Sequence, residues 1–276
     1  MFYKERRSNT MAQSNNPAQR LLTILDAARK CPDGKAEDAW SVLLSVEQGD
    51  KPQLLRRLGL LLDLPYQIKE QIMNINDIQH DVYLKWMPAV QTSFSSINLG
   101  RNFNEFRNPL SDHTIYGLEV CSELLSRHSA EKILNPADLQ KLGSEVTGLL
   151  DSLHDADLAP DLKLFIVTRL DEIHQAILDY EFAGPKPLRR VVGSVVGSVL
   201  FEKEKYGRFA RTEHHKAFWT IIGRAALIVT IVSGTLQITD GLKKLLPERD
   251  VPDFEEITIE MQDVEQAAEA ELHVSN

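Results

Sequence analysis

Residues 217–239, AFWTIIGRAALIVTIVSGTLQIT, constrain this chain more than any other stretch, because Arg224 is their only formal charge. In helical form the 23 residues extend about 34 Å, against a bilayer hydrocarbon core of ~30 Å. Sixteen of the 23 are apolar or glycine; the others are Thr220, Arg224, Thr230, Ser233, Thr235, Gln237 and Thr239. Such a segment either spans a membrane or forms the wholly buried helix of a soluble domain. The flanks favour a span: His214, His215 and Lys216 precede it, Trp219 occupies an interfacial position, and Lys243 and Lys244 follow. Arg224 costs ~2.5–3.5 kcal/mol at a bilayer centre, but so near the entry end its guanidinium can snorkel to headgroups.

The polar residues of the stretch fall in register. Trp219, Gly223, Ala226, Thr230, Ser233, Gln237, Asp240 and Lys244 follow a 4-3-4-3 spacing, the seam of a helix meeting partners in a left-handed bundle. Ile221, Ala225, Ile228, Val229, Val232 and Leu236 occupy the other side. A soluble amphipathic helix normally carries charges on its polar face, whereas this face holds Gly, Ala, Thr, Ser and Gln until Asp240. In an oligomer, Thr230, Ser233, Gln237 and Asp240 would line a pore, with Gly223 and Ala226 as close-packing positions. The same seam also suits a plain membrane anchor. Lys203, Lys205, Arg208, Arg211 and Lys216 before the segment outnumber Lys243, Lys244 and Arg249 after it, which by the positive-inside rule puts the N-terminal region in the cytoplasm.

The remainder reads as helix after helix, so the expected fold class is all-α: a multi-helix cytoplasmic domain followed by a C-terminal transmembrane helix. The expected layout is a disordered basic arm (1–16), a helical domain (17–210), a membrane helix with flanks (211–246) and an acidic tail (247–276). That tail carries ten acids and one base, a net −9 equal to that of the whole 276-residue chain, so the body is charge-balanced. A segment this acidic is expected to solvate itself, and it gives no reason to expect nucleic-acid binding. Within the domain, KPQLLRRLGLLLDLPYQIKEQIMNI predicts two helices separated at Pro65. Ser111 or Asp112 is available as an N-cap, and residues 135–184 predict a helical hairpin joined at DADLAPD. Gly193 and Gly197 form a G-x-x-x-G pair that lets another helix pack closely. Cys31 and Cys121 sit in apolar helical patterns and read as packed thiols of a reducing compartment.

Signals for catalysis fail one by one. DEIH at 171–174 lies in a helix, with neither the preceding strand nor the phosphate-cradling loop that a helicase motif needs. HDAD (His154, Asp155, Asp157) lacks a second cluster to complete a metal site, and a polar interhelical turn accounts for it. His214 and His215 are adjacent and point about 100° apart on a helix. The expectation is a non-enzyme without cofactor or metal ion. One loop, GRNFNEFRN (100–108), combines Arg101 and Arg107 with Phe103 and Phe106, a set that can hold phosphates and stack on unpaired bases. The alternative is a long loop pinned to the core by its two phenylalanines.

Across residues 17–245 this layout resembles the membrane channel effectors of bacterial antiphage defence, of the Hailong type. The resemblance implies a membrane-embedded homo-oligomer, gated by its cytoplasmic helical region through a nucleotide or oligonucleotide ligand, whose channel depolarises the infected cell. The competing expectation is a soluble all-α interaction or regulatory module with 217–239 as a buried core helix.

Overall fold

The computed structural model describes residues 16–128, 134, 136–201, 207–233, 239, 242–244, 251–259 and 261, without the side chains of 199–201 and 233. Every regular element among them is helical. The chain forms two compact units: one comprises residues up to 131 with 181–184, the other 132–180 with residues from 185 onward. The boundaries between the units fall within residues 17–210, and the apolar stretch at 217–233 belongs to the same unit as residues 136–180 and 185–201.

The first unit is built from α1 (Pro17–Arg29), α2 (Ala36–Leu43), α3 (Lys51–Met73), α4 (His80–Tyr83), α5 (Met87–Ser95), α6 (Asn104–Arg107) and α7 (Asp112–His128). Polar side chains at helix starts accept the first unpaired amides. Asn16 accepts from Gln19 N at 2.9 Å, Asp50 from Gln53 N at 3.1 Å, and Ser111 rather than Asp112 accepts from Thr114 N at 3.2 Å. The Asn16 amide also donates to Ser122 O (3.0 Å) and Ser126 Oγ (2.9 Å), tying the start of α1 to α7. α1 packs its Leu21, Leu25 and Ala28 face against α3 and α7.

α3 corrects the expectation of two helices. It runs unbroken through Pro65, which is itself buried beside Leu61, Leu64 and Ile68. A mid-helix proline costs ~3 kcal/mol, yet fully burying a Leu or Ile gains ~1.5–3 kcal/mol, and six of them line the inward face of α3. Packing outweighs the lost backbone bond.

The core of this unit is aromatic on one side. Trp40 meets Phe103 and Phe106 edge-on, with centroids 5.3 and 4.6 Å apart. Elsewhere Trp86 Nε1 donates to Cys121 Sγ at 3.1 Å, and the thiol donates to Tyr83 O at 2.8 Å. Burial raises the Cys121 pKa to about 11. Gly184 adopts φ +63°, and a side chain there would fall 2.6 Å from the buried Arg20 guanidinium, so glycine serves both backbone and space.

The second unit contains α8 (Pro136–His154), α9 (Pro160–Leu178), α10 (Lys186–Phe201) and α11 (His215–Ser233). α8 and α9 pack as the expected hairpin, α10 lies against α9, and α11 contacts both α8 and α10. Leu142, Val146, Leu149 and Leu153 of α8 meet Ile166, Leu170 and Ile173 of α9 in a core whose remaining volume is filled largely by α11. Part of the acidic tail joins it, against the expectation of a self-solvated segment. Residues 254–259 are helical, Asp253 Oδ1 accepts from Glu255 N (3.1 Å) and Glu256 N (3.0 Å), and Phe254, Ile257 and Met261 are buried.

Candidate functional site

α11 is where the chemistry concentrates. Its sequence places one guanidinium in the middle of an apolar helix, and a fully desolvated charge is tolerated only beside a counter-charge. Glu145, in the middle of α8, supplies it. Arg224 Nε donates to Glu145 Oε2 at 2.9 Å, with the arginine side chain 0% exposed and the glutamate 27%. The carboxylate opens on a cleft of about 570 Å³ between α8 and the first turns of α11, lined also by Ser152, His214, Lys216 and Thr220. One charged end of the pair is thus buried and the other faces water.

Three residues at the mouth of this cleft have the letters of a hydrolytic triad. Ser152 Oγ lies 3.5 Å from His214 Nδ1, and His214 Nε2 lies 3.7 Å from Glu213 Oε1. The geometry does not activate the serine. Its hydroxyl donates to Leu149 O at 2.8 Å, and it sits in the last turn of α8, where backbone amides serve the helix's own hydrogen bonds. His214 precedes the first residue of α11, and His215 has a different partner: its Nε2 accepts from Trp219 Nε1 at 3.1 Å. Asp171–His174 lies within α9, with His174 beside a shallow groove of about 580 Å³ formed with Gly143, Thr147 and Asp151.

The described part of the expected pore seam, Trp219 to Thr230, is buried inside the second unit. Gly223 and Ala226 are buried, and the Thr230 hydroxyl donates to Ala226 O at 2.8 Å. A Cβ at Gly223 would come within 2.4 Å of Pro252 Cβ, so this glycine provides a close approach, to the C-terminal segment. The opposite side, Ile221, Ala225, Ile228, Val229 and Val232, is buried as well. Ser233 closes α11; Gln237 and Asp240 lie outside the described residues. Gly193 faces solvent and Gly197 is half-exposed, with no atom within 4 Å of a Cβ built on either. The G-x-x-x-G pair therefore packs no helix of this chain among the described residues.

The 100–108 loop is a structural pin. Phe103 and Phe106 are buried against Trp40, so their faces offer no platform for bases. Arg107 donates to Cys31 O and pairs with Asp33, while exposed Arg101 lies 3.4 Å from Glu105. Phe103 N donates to Gly34 O at 2.9 Å and Ala36 N to Arg101 O at 2.9 Å, which holds the loop to the segment before α2. The two phenylalanines come together in the core, while the two arginines turn to separate partners.

Sequence reasoning missed Glu145 and the buried tail residues. A charge inside an apolar helix announces that a partner exists without saying which acid it is. The tail had a signal of its own, since Phe254, Ile257 and Met261 recur at helical spacing. No family model, curated protein or solved structure matches the chain.

Proposed function

We propose that the chain is a non-enzymatic, all-helical interaction module that folds around α11 as a core helix. The observation that carries this reading is the burial of both sides of α11 within its own unit, with Arg224 neutralised by Glu145. A helix destined for lipid keeps an apolar side for acyl chains, and the described part of α11 has already committed that side to α8, α10 and the Pro252–Met261 segment. A soluble core helix needs that arrangement to exclude water.

A second reading is supported by one observation: His215–Val232 is long and apolar enough to cross a bilayer. In that reading the second unit opens, α11 inserts, and the chain acts as an oligomeric membrane effector, as its layout resemblance implies. Carbonate extraction of membranes from cells making the tagged full-length chain separates the two. Recovery of full-length protein in the supernatant, with aggregation of a variant lacking 217–239, supports the module. Retention of only the full-length protein in the pellet overturns it and makes liposome conductance the next measurement.

A further inference from the structure

α3 presents two faces. Leu54, Leu61, Leu64, Ile68 and Ile72 are buried in the first unit, whereas Leu55, Leu62, Tyr66 and Met73 are 58%, 38%, 60% and 52% exposed. At 100° per residue those four lie at about 0°, −20°, +20° and 0°, a single stripe along a helix about 34 Å long. Their 7-4-7 spacing belongs to a helix–helix seam, and scattered surface hydrophobics do not align this way. The stripe is also symmetric about position 64, since Leu55 and Met73, and likewise Leu62 and Tyr66, are equidistant from it.

We infer that α3 pairs antiparallel with α3 of a second copy of this chain, about a two-fold axis near residue 64. An interface between identical surfaces must be self-complementary, and the charges beside the stripe meet that condition. Arg56 and Glu70 lie on one flank, at about +100° and +60°, and are symmetric about residue 63. In an antiparallel two-fold pair, like flanks face each other. Arg56 then meets Glu70 of the second copy, and Glu70 meets its Arg56. Leu62 packs on Tyr66 of the second copy and Leu55 on its Met73. Asp63 is the one opposed contact: it faces its own counterpart near the axis, with its charge shared with Gln67 Nε2 at 2.9 Å.

Sedimentation equilibrium of the purified full-length chain tests this. The expected result is a mass of two 31.2 kDa chains at micromolar concentration. The Leu62→Glu, Tyr66→Glu double substitution yields monomer with an unchanged helical circular-dichroism spectrum, because both side chains face solvent in the isolated chain. Arg56→Glu or Glu70→Arg alone raises the dissociation constant roughly tenfold, the combination restores it, and Asp63→Asn lowers it. A wild-type monomer at 100 µM, or a dimer indifferent to L62E/Y66E, overturns the proposal. Failure of the combined charge reversal to restore affinity overturns the antiparallel register.

Discussion

The guanidinium of Arg224 and the carboxylate of Glu145, 79 positions apart in sequence, lie 2.9 Å from each other across the second unit. The pair converts the one formal charge of the apolar stretch into a tether between α11 and α8. Removing one partner of a buried pair costs more than replacing both, because the remaining charge is left in a poor solvent.

Glu145→Gln should therefore destabilise the protein by about 2–4 kcal/mol, at or below the usual range for buried pairs because the carboxylate is partly hydrated. Arg224→Met combined with Glu145→Leu should recover most of that loss. Urea unfolding of the three proteins checks this. A double variant no more stable than Glu145→Gln would mean that the pair does more than neutralise Arg224.

Gly223→Ala should separate the tail from the unit. The added methyl meets Pro252 at a distance that only displacement relieves, and overpacking of this kind costs ~1–3 kcal/mol. Limited proteolysis should cut near residue 250 faster than in the parent. Equal rates would show that the Pro252 contact contributes nothing.

The Cys121 thiol gives a pH signature. Its pKa rises from 9.0 to about 11 because burial disfavours the thiolate more than the Trp86 donor favours it. The folded state then binds the proton more tightly than the unfolded one. This contribution is intact below pH ~9 and is lost as pH climbs towards about 11. Cys121→Ala should flatten the decline in stability over that window. An unchanged slope would assign the alkaline loss to other groups.

The 100–108 loop should respond to its rings and not to its outer arginine. Phe106→Ala should cost ~3–5 kcal/mol, whereas Arg101→Glu should stay within ~0.5 kcal/mol, since its ion pair is exposed. Thermal melts of both variants suffice. A large effect of Arg101→Glu would reveal a role beyond the Glu105 contact.

The all-helical class was legible because apolar spacing repeats with the helical period, and so was the α8–α9 hairpin, bounded by Pro136 and Pro160. Pro65 misled because a local rule was applied where tertiary burial decides: the inward face of α3 outweighs one missing hydrogen bond. The 217–239 stretch was ambiguous for a deeper reason. Lipid and a protein core are both apolar, so they select similar side chains, and only the packing around Gly223 and Arg224 reveals which neighbours surround α11 here. In the tail, counting charges hid three apolar residues at helical spacing.

The contact between Gly223 and Pro252 also orders events in time. The chain emerges from its N-terminus, and Met261, the last buried residue among the described ones, lies 38 positions after Gly223. At ~5–20 residues per second, synthesis needs about 2–8 s to travel that distance. During this interval the most apolar helix among the described residues exists without its last layer, at the moment when nascent chains are most exposed to chaperones and to other apolar surfaces.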